Sequence, residues 1–145
     1  MRQKLACVVV GAALLGLLGG CSSDDEPDPE AVATFWADLR EDALANYPGY
    51  TGANKEASLL WKFLDEDDAE YQECAFGSCG VVKVLAPSGC ADVYMKVNFL
   101  NSSGTVVDWS NDTASSLPAD GAAVLQFTAT QDDAKKIQIV EASCY

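Results

Sequence analysis

Six cysteines are the residues with the widest chemical scope in this chain, and four of them lie in its second half. Cys74, Cys79, Cys90 and Cys144 could form two disulfides or supply four thiolates to zinc. Their spacing lacks the two close cysteine pairs that are typical of zinc sites, so disulfides are favoured. Of the three possible pairings we expect Cys74 with Cys79, across a short turn that contains glycine, and Cys90 with Cys144. No Cys-x-x-Cys motif points to a redox role.

A run of carboxylates lies just before the middle of the chain and could bind calcium, which prefers clustered oxygen ligands. It consists of Asp65, Glu66, Asp67, Asp68 and Glu70. The run lacks both the alternating aspartates and the glycine of a calcium loop. The interpretation that the pattern favours is a solvated acidic linker, and we expect no metal site.

Aromatic side chains could line a groove for a sugar or a peptide. The candidates are Trp36, Trp61, Trp109, Phe35, Phe63 and Tyr50. Trp36 and Trp61 recur at helical spacing with other apolar residues, which is typical of core positions. Trp109 stands between Asp108 and Ser110, so it is the tryptophan expected to be exposed.

The chain contains no histidine, the commonest general base and a common metal ligand. Paired carboxylates could serve a glycosidase, but the chain is short for a cleft that cleaves carbohydrate. We therefore expect no catalytic residues, no cofactor and no enzyme activity. The net charge of −13 repels nucleic acid and anionic lipid headgroups, so nucleic acid is not an expected partner.

The first twenty residues have the pattern of an export signal. Arg2 and Lys4 precede an apolar run from Leu5 to Leu18, which is too short for a stable membrane span. Residues 1–20 are therefore predicted to be a signal peptide. Export to an oxidising compartment also favours disulfides over free thiols.

The end of this segment, Leu18-Gly19-Gly20-Cys21, resembles the lipobox of bacterial prolipoproteins. The resemblance implies cleavage before Cys21, acylation of that thiol, and attachment to the membrane through covalent lipid. Residues 21–28 are acidic and rich in proline, which predicts a disordered tether. The protein would then be extracytoplasmic, on the outer leaflet of the cell membrane or on an outer membrane. A chance cysteine after an ordinary signal peptide and an uncleaved anchor are the alternatives.

Residues 29–68 have helical periodicity. Asp28-Pro29 is a good helix start, and apolar residues at helical spacing predict a helix from Pro29 to Asn46. A second, shorter helix is predicted from Asn54, with Ala57, Leu60, Trp61 and Leu64 on one stripe.

Residues 69–145 alternate with the period of a strand. Five strands are predicted: Val81 to Ala86, Ala91 to Leu100, Thr105 to Trp109, Ala122 to Thr130, and Lys136 to Ser143. Turns are expected at residues 101–104 and 117–121. The fold class is α+β, with two N-terminal helices followed by an antiparallel β-sandwich or small open barrel.

The stretches Val93 to Gly104 and Leu117 to Phe127 resemble the small immunoglobulin-like β-sandwich modules of bacterial surface lipoproteins, including the FxLYD-type group. A long strand, an Asn-x-x-Gly hairpin and a Leu-Pro-x-x-Gly turn follow in the same order. The Phe-x-Leu-Tyr-Asp motif itself is absent. The resemblance implies an immunoglobulin-like fold and carries over no catalytic residues.

These observations predict a non-catalytic, lipid-anchored cell-envelope protein. Its partner would be another envelope protein or a cell-wall component, bound through a sheet edge or the helix face. A small-ligand or calcium-binding lipoprotein and a purely structural spacer remain as alternatives.

Overall fold

The computed structural model describes residues 28–73 and 78–145. This part of the chain contains one helix and seven strands: α1 (Pro29–Asn46), β1 (Gly52–Ala53), β2 (Leu60–Leu64), β3 (Ser78–Ala86), β4 (Cys90–Leu100), β5 (Val106–Leu117), β6 (Gly121–Ala129) and β7 (Lys136–Cys144). The strands form two antiparallel sheets. Sheet A has the order β1-β2-β3-β6 and sheet B has the order β5-β4-β7.

Helix α1 spans the residues that the sequence predicts. The carboxylate of Asp28 accepts a hydrogen bond from the backbone N–H of Glu30 at 3.0 Å, which satisfies one free donor of the first turn. The helix ends where the backbone N–H of Tyr47 bonds back to the carbonyl of Ala43. In the described part of the chain, no helix is long and apolar enough to cross a membrane.

The second predicted helix is wrong, because residues 60–64 form strand β2 and pair along their length with β3. Leu60 and Leu64 are four residues apart, a spacing that fits one face of a strand as well as one face of a helix. Ala57 has a positive φ of 52°, which a right-handed helix does not allow. Asn54 closes a turn instead of capping a helix: its side-chain oxygen accepts the backbone N–H of Leu59 at 3.0 Å.

The two sheets pack face to face around one hydrophobic core. Sheet A contributes Val82, Val84, Leu125 and Phe127, and sheet B contributes Val93, Met95, Val97 and Phe99; each is at most 1% exposed. The alternation of apolar residues in β4 therefore faces the core, as the sequence predicts. The prediction of antiparallel strands is confirmed.

Strand β5 continues beyond Trp109, where the prediction ends, to Leu117. Two carboxylates of β5, one in the predicted part and one in the added part, face inward and accept hydrogen bonds from the edge of sheet A. Asp108 accepts the backbone N–H of Thr130 at 2.8 Å, and Asp112 accepts that of Gln126 at 2.9 Å. These bonds satisfy edge groups of sheet A that would otherwise be free, and they join the two sheets along one side.

The predicted turn at residues 101–104 is present and connects β4 to β5. The side-chain oxygen of Asn101 accepts the backbone N–H groups of Ser103 at 3.1 Å and of Thr105 at 2.9 Å. Gly104 has a φ of 82°, a conformation that favours glycine. The turn fixes the register of β5 on β4, and through it the arrangement of the side chains on sheet B.

Cys90 and Cys144 form a disulfide between the adjacent strands β4 and β7, with Cα atoms 5.6 Å apart. This is the pairing that the sequence favours for these two residues. Cys74 lies outside the described residues, so its pairing with Cys79 stays a prediction. Cys21, the predicted site of lipidation, also lies outside them.

Candidate binding surface

The outer face of sheet A is covered, although it points away from the shared core. By the strand alternation its residues include Leu60, Leu64, Val81 and Leu85, and each of them is at most 7% exposed. The residues between them in β3, Val82 and Val84, belong to the core between the sheets. Sheet A is therefore apolar on both faces, and its outer face needs a covering layer.

Ion pairs attach the acidic run to this outer face. Lys62 and Lys83 are directly opposite each other in β2 and β3, a like-charge pair that destabilises a sheet when it is left alone. Asp68 bonds Lys62 at 3.3 Å, and Glu70 bonds Lys83 at 2.5 Å. The acidic run is thus partly a structural strap over sheet A and not only a solvated linker.

The pKa values of these groups are shifted by the same contacts. The backbone N–H of Asp65 and then the ammonium group of Lys62 hold the pKa of Asp68 below its ordinary value. The hydrogen bond that Lys83 donates to the carboxylate of Glu70 raises the pKa of Lys83. Among residues 28–73 and 78–145, no three acidic or cysteine side chains are grouped so that they could hold a metal ion.

The outer face of sheet B, in contrast, is polar and open to solvent. On this face the row Val106–Leu100–Lys136 lies at one end and the pair Asp92–Ser115 at the other. Between them, the strand alternation and the register place nine side chains: Tyr94, Lys96, Asn98, Trp109, Asn111, Thr113, Gln138, Glu141 and Ser143. Five of these residues are exposed and the other four are half-buried. We call these nine residues the sheet B surface.

The register arranges the sheet B surface in three rows that cross the strands. The rows are Trp109–Asn98–Gln138, Asn111–Lys96–Glu141 and Thr113–Tyr94–Ser143. Strands in a sheet are about 4.8 Å apart, and alternate residues in one strand are about 6.7 Å apart. The three rows therefore form a patch about 10 Å wide and about 13 Å long.

Trp109 is the most prominent side chain of the sheet B surface. It is 57% exposed, so the prediction of an exposed tryptophan is confirmed. The ammonium group of Lys96 lies 4.9 Å from the centre of its ring, a cation–π contact that restricts how the ring can turn. One aromatic face is thus available at a defined place on the sheet.

The other aromatic candidates do not join Trp109 in one groove. Trp36 lies on α1, beside Phe35 and under the ammonium group of Lys55. Trp61 lies on β2 and packs against the core between the sheets, as its predicted core role requires. The sequence showed the right residue types, but the fold distributes them over three different elements.

A cavity of about 600 Å³ lies where β2, β3 and β7 meet, with Phe63, Val81, Phe99 and Ile137 in its lining. Cavities that bind small ligands usually combine apolar walls with a few convergent polar groups. In the described residues, no buried side-chain nitrogen or oxygen lacks a hydrogen-bond partner. Charged side chains that are exposed to solvent, among them Asp65, Glu66, Lys135 and Lys136, also line the cavity.

Other shifted pKa values also have structural causes. The hydrogen bond to Asp120 raises the pKa of Tyr47, at the junction of α1 with the turn before β6. The backbone N–H of Thr130 is the main cause that lowers the pKa of Asp108, at the joined side of the sandwich. Both groups hold segments together, and neither faces the sheet B surface.

Comparison with protein families, with curated proteins and with solved structures finds no match to this chain.

Proposed function

We propose that this chain is a non-catalytic, lipid-anchored cell-envelope protein that binds an envelope component through the sheet B surface. The observation that carries the proposal is the contrast between the two outer faces. The apolar side chains on the outer face of sheet A are buried and its lysines bond the acidic strap, whereas sheet B presents an exposed tryptophan among amide and hydroxyl groups. Exposed aromatic side chains and convergent hydrogen-bonding groups are typical of binding surfaces.

The non-catalytic part of the proposal is supported by composition and by the sheet B surface itself. The chain has no histidine, and the surface carries no cysteine or paired carboxylates that could act as nucleophile or general base. Its amide, hydroxyl and aromatic groups can hold a ligand by hydrogen bonds and stacking. The function proposed is therefore recognition and attachment.

The finer fold assignment, an immunoglobulin-like sandwich, is supported by strand order. In that fold the first sheet contains strands A, B and E, and the second contains C′, C and F as neighbours. Strands β2, β3 and β6 and strands β5, β4 and β7 have these orders. The disulfide differs, because Cys90 and Cys144 join neighbouring strands of one sheet. A crystal structure with a different strand order would contradict the assignment.

The lipid anchor is tested by mutation of the predicted acylation site. Cys21→Ala should abolish incorporation of labelled fatty acid and release the protein from the membrane fraction, because two or more acyl chains provide stable attachment. Cys7→Ala is the matched control, since Cys7 lies inside the predicted signal peptide, and it should change neither result. Equal acylation of the wild type and Cys21→Ala would overturn this part of the proposal.

The binding surface is tested in the Cys21→Ala background, where lipid cannot retain the protein. Isolated cell envelopes of the source organism should sediment this protein, and Trp109→Ala should reduce the sedimented fraction at least tenfold. Phe35→Ala is the control, because Phe35 is 56% exposed, nearly the same as Trp109, but lies on α1. Equal sedimentation of the two variants would show that the sheet B surface is not the binding site.

A further inference from the structure

We infer that the sheet B surface recognises an uncharged polysaccharide, a chain of pyranose rings whose polar groups are hydroxyls or acetamides. This inference rests on the proposed function and names the ligand class for the same surface.

The charge of the sheet B surface favours a neutral ligand. The chain carries −13 overall, yet the nine residues of the sheet B surface include one ammonium group and one carboxylate. These two groups, on Lys96 and Glu141, are directly opposite each other in the register. The patch is therefore close to neutral on a strongly acidic protein. A neutral ligand matches the patch, whereas an anionic polymer is repelled by the molecule as a whole.

The positions of the two aromatic rings on this surface suit an extended chain of sugars. Trp109 and Tyr94 are on adjacent strands, two rows apart, which places them about 14 Å from each other along a diagonal of the patch. The negative face of an aromatic ring attracts the C–H groups on the flat side of a pyranose. Two rings at this separation can contact different sugars of one extended chain.

The side-chain amides of this surface can form hydrogen bonds with sugar hydroxyls. Asn98, Asn111 and Gln138 lie on three neighbouring strands, and each side-chain amide can both donate and accept. Sugar hydroxyls also do both, so the two sets of groups are complementary. Thr113 and Ser143 add hydroxyls that can act in the same way.

A protein partner fits this surface less well. The aliphatic side chains of this face lie at its margins, Val106 and Leu100 at one end and Val140 on the edge strand β7, whereas the centre of a protein–protein interface is usually apolar and closely packed. A basic protein would be attracted more strongly by the acidic strap and α1 than by this neutral patch. The composition thus favours an uncharged, hydroxyl-rich ligand.

The test uses the full chain with Cys21→Ala and two probes, cellohexaose and chitohexaose, titrated by isothermal calorimetry. The first probe carries only hydroxyls and the second also carries acetamides, so the two arms distinguish the polar groups recognised. We expect at least one probe to bind with a dissociation constant that changes less than twofold between 50 and 500 mM NaCl. Trp109→Ala should weaken that binding at least tenfold, and Asn98→Ala about fivefold. Phe35→Ala should leave it unchanged.

The inference fails if neither probe binds at millimolar concentration, or if Trp109→Ala binds as well as the wild type. If neither probe binds but Trp109→Ala still loses sedimentation with envelopes, the polysaccharide assignment is wrong and the proposed binding surface stands. If Trp109→Ala changes neither assay, the proposed surface fails together with the inference.

Discussion

The two outer faces of this sandwich belong to sheets of similar size, but one face is buried and the other is exposed to solvent. The outer face of sheet A is built from leucine, valine and two lysines; its apolar side chains are buried, and its lysines bond the acidic strap. The centre of the outer face of sheet B carries amides, hydroxyls, aromatic rings and one lysine–glutamate pair, and it meets the solvent. The layer over sheet A is therefore structural, and sheet B is the sheet whose outer face a ligand can reach.

The covering layer is added by short segments and few contacts. Tyr47 at the end of α1 bonds Asp120 beside β6, and Asp68 and Glu70 bond lysines of β2 and β3. Sheet B has no such layer among the described residues, and its strands β4 and β7 are instead cross-linked by the disulfide. Substitutions in the two sheets should therefore have different consequences.

Loss of the disulfide should have the largest effect on stability. The double variant Cys90→Ser/Cys144→Ser should lower the free energy of unfolding by about 4 kcal/mol, because the bond closes a loop of 54 residues. Guanidinium denaturation measures the change, with Ser143→Ala as a neighbouring control. A loss below about 1 kcal/mol would show that sheet B does not depend on its cross-link.

Truncation of the covered face should have the next largest effect. Leu60 is fully buried on the outer face of sheet A, so Leu60→Ala should lower the free energy of unfolding by about 3 kcal/mol. The matched control is Leu100→Ala in sheet B, where the side chain is half-buried and about 1 kcal/mol is expected. Equal losses in the two variants, measured by urea denaturation, would contradict the contrast between the faces.

The acidic strap should weaken in acid. The folded-state pKa of Asp68 is below the ordinary value of 3.8, so its contribution to stability is complete above that value and is lost as the pH falls through the lowered pKa. Asp68→Asn should have a lower melting temperature than the wild type at pH 7, and the difference should shrink as the pH falls below 3.8. If the difference in melting temperature between the wild type and Asp68→Asn did not vary with pH, the ion pair of Asp68 would not stabilise sheet A.

Truncation on the sheet B surface should have the smallest effect on stability. Trp109→Ala loses its contact with Lys96 and little buried area, so the free energy of unfolding should fall by only about 0.5 kcal/mol. The same variant should lose binding at least tenfold, which separates recognition from folding. A loss of several kcal/mol in chemical denaturation would mean that Trp109 is structural.

Local patterns in the sequence predicted much of the fold. The cap and proline at Asp28-Pro29 predicted α1, and the alternation of Val93 to Phe99 predicted β4 and its buried side. The prediction of a second helix was wrong because the spacing of Leu60 and Leu64 fits a helix and a strand equally well. Pairing with β3 makes this segment a strand. Strand β5 was predicted too short because its added part is mostly polar, and the hydrogen bond that Asp112 accepts from Gln126 of β6 depends on a strand distant in sequence.

The sequence also indicated part of the candidate surface. Trp109 was predicted to be exposed, and the alternation in β4 separated Tyr94, Lys96 and Asn98 from the core. Asn111 and Gln138 carried no signal of their own. They become part of the surface only because the register sets them beside Lys96 and Asn98.

The amino-acid sequence alone determined what depends on neighbouring residues: the composition and charge, the start and end of α1, the turns, and the period of the long strands. The tertiary structure alone decided which side of each sheet is covered, which carboxylates bond lysines or strand edges, and which polar residues share a surface. The physical reason is the separation along the chain between the residues that interact. Caps, turns and alternation act over a few residues, whereas burial and register arise from segments far apart in the chain, such as β4 and β7.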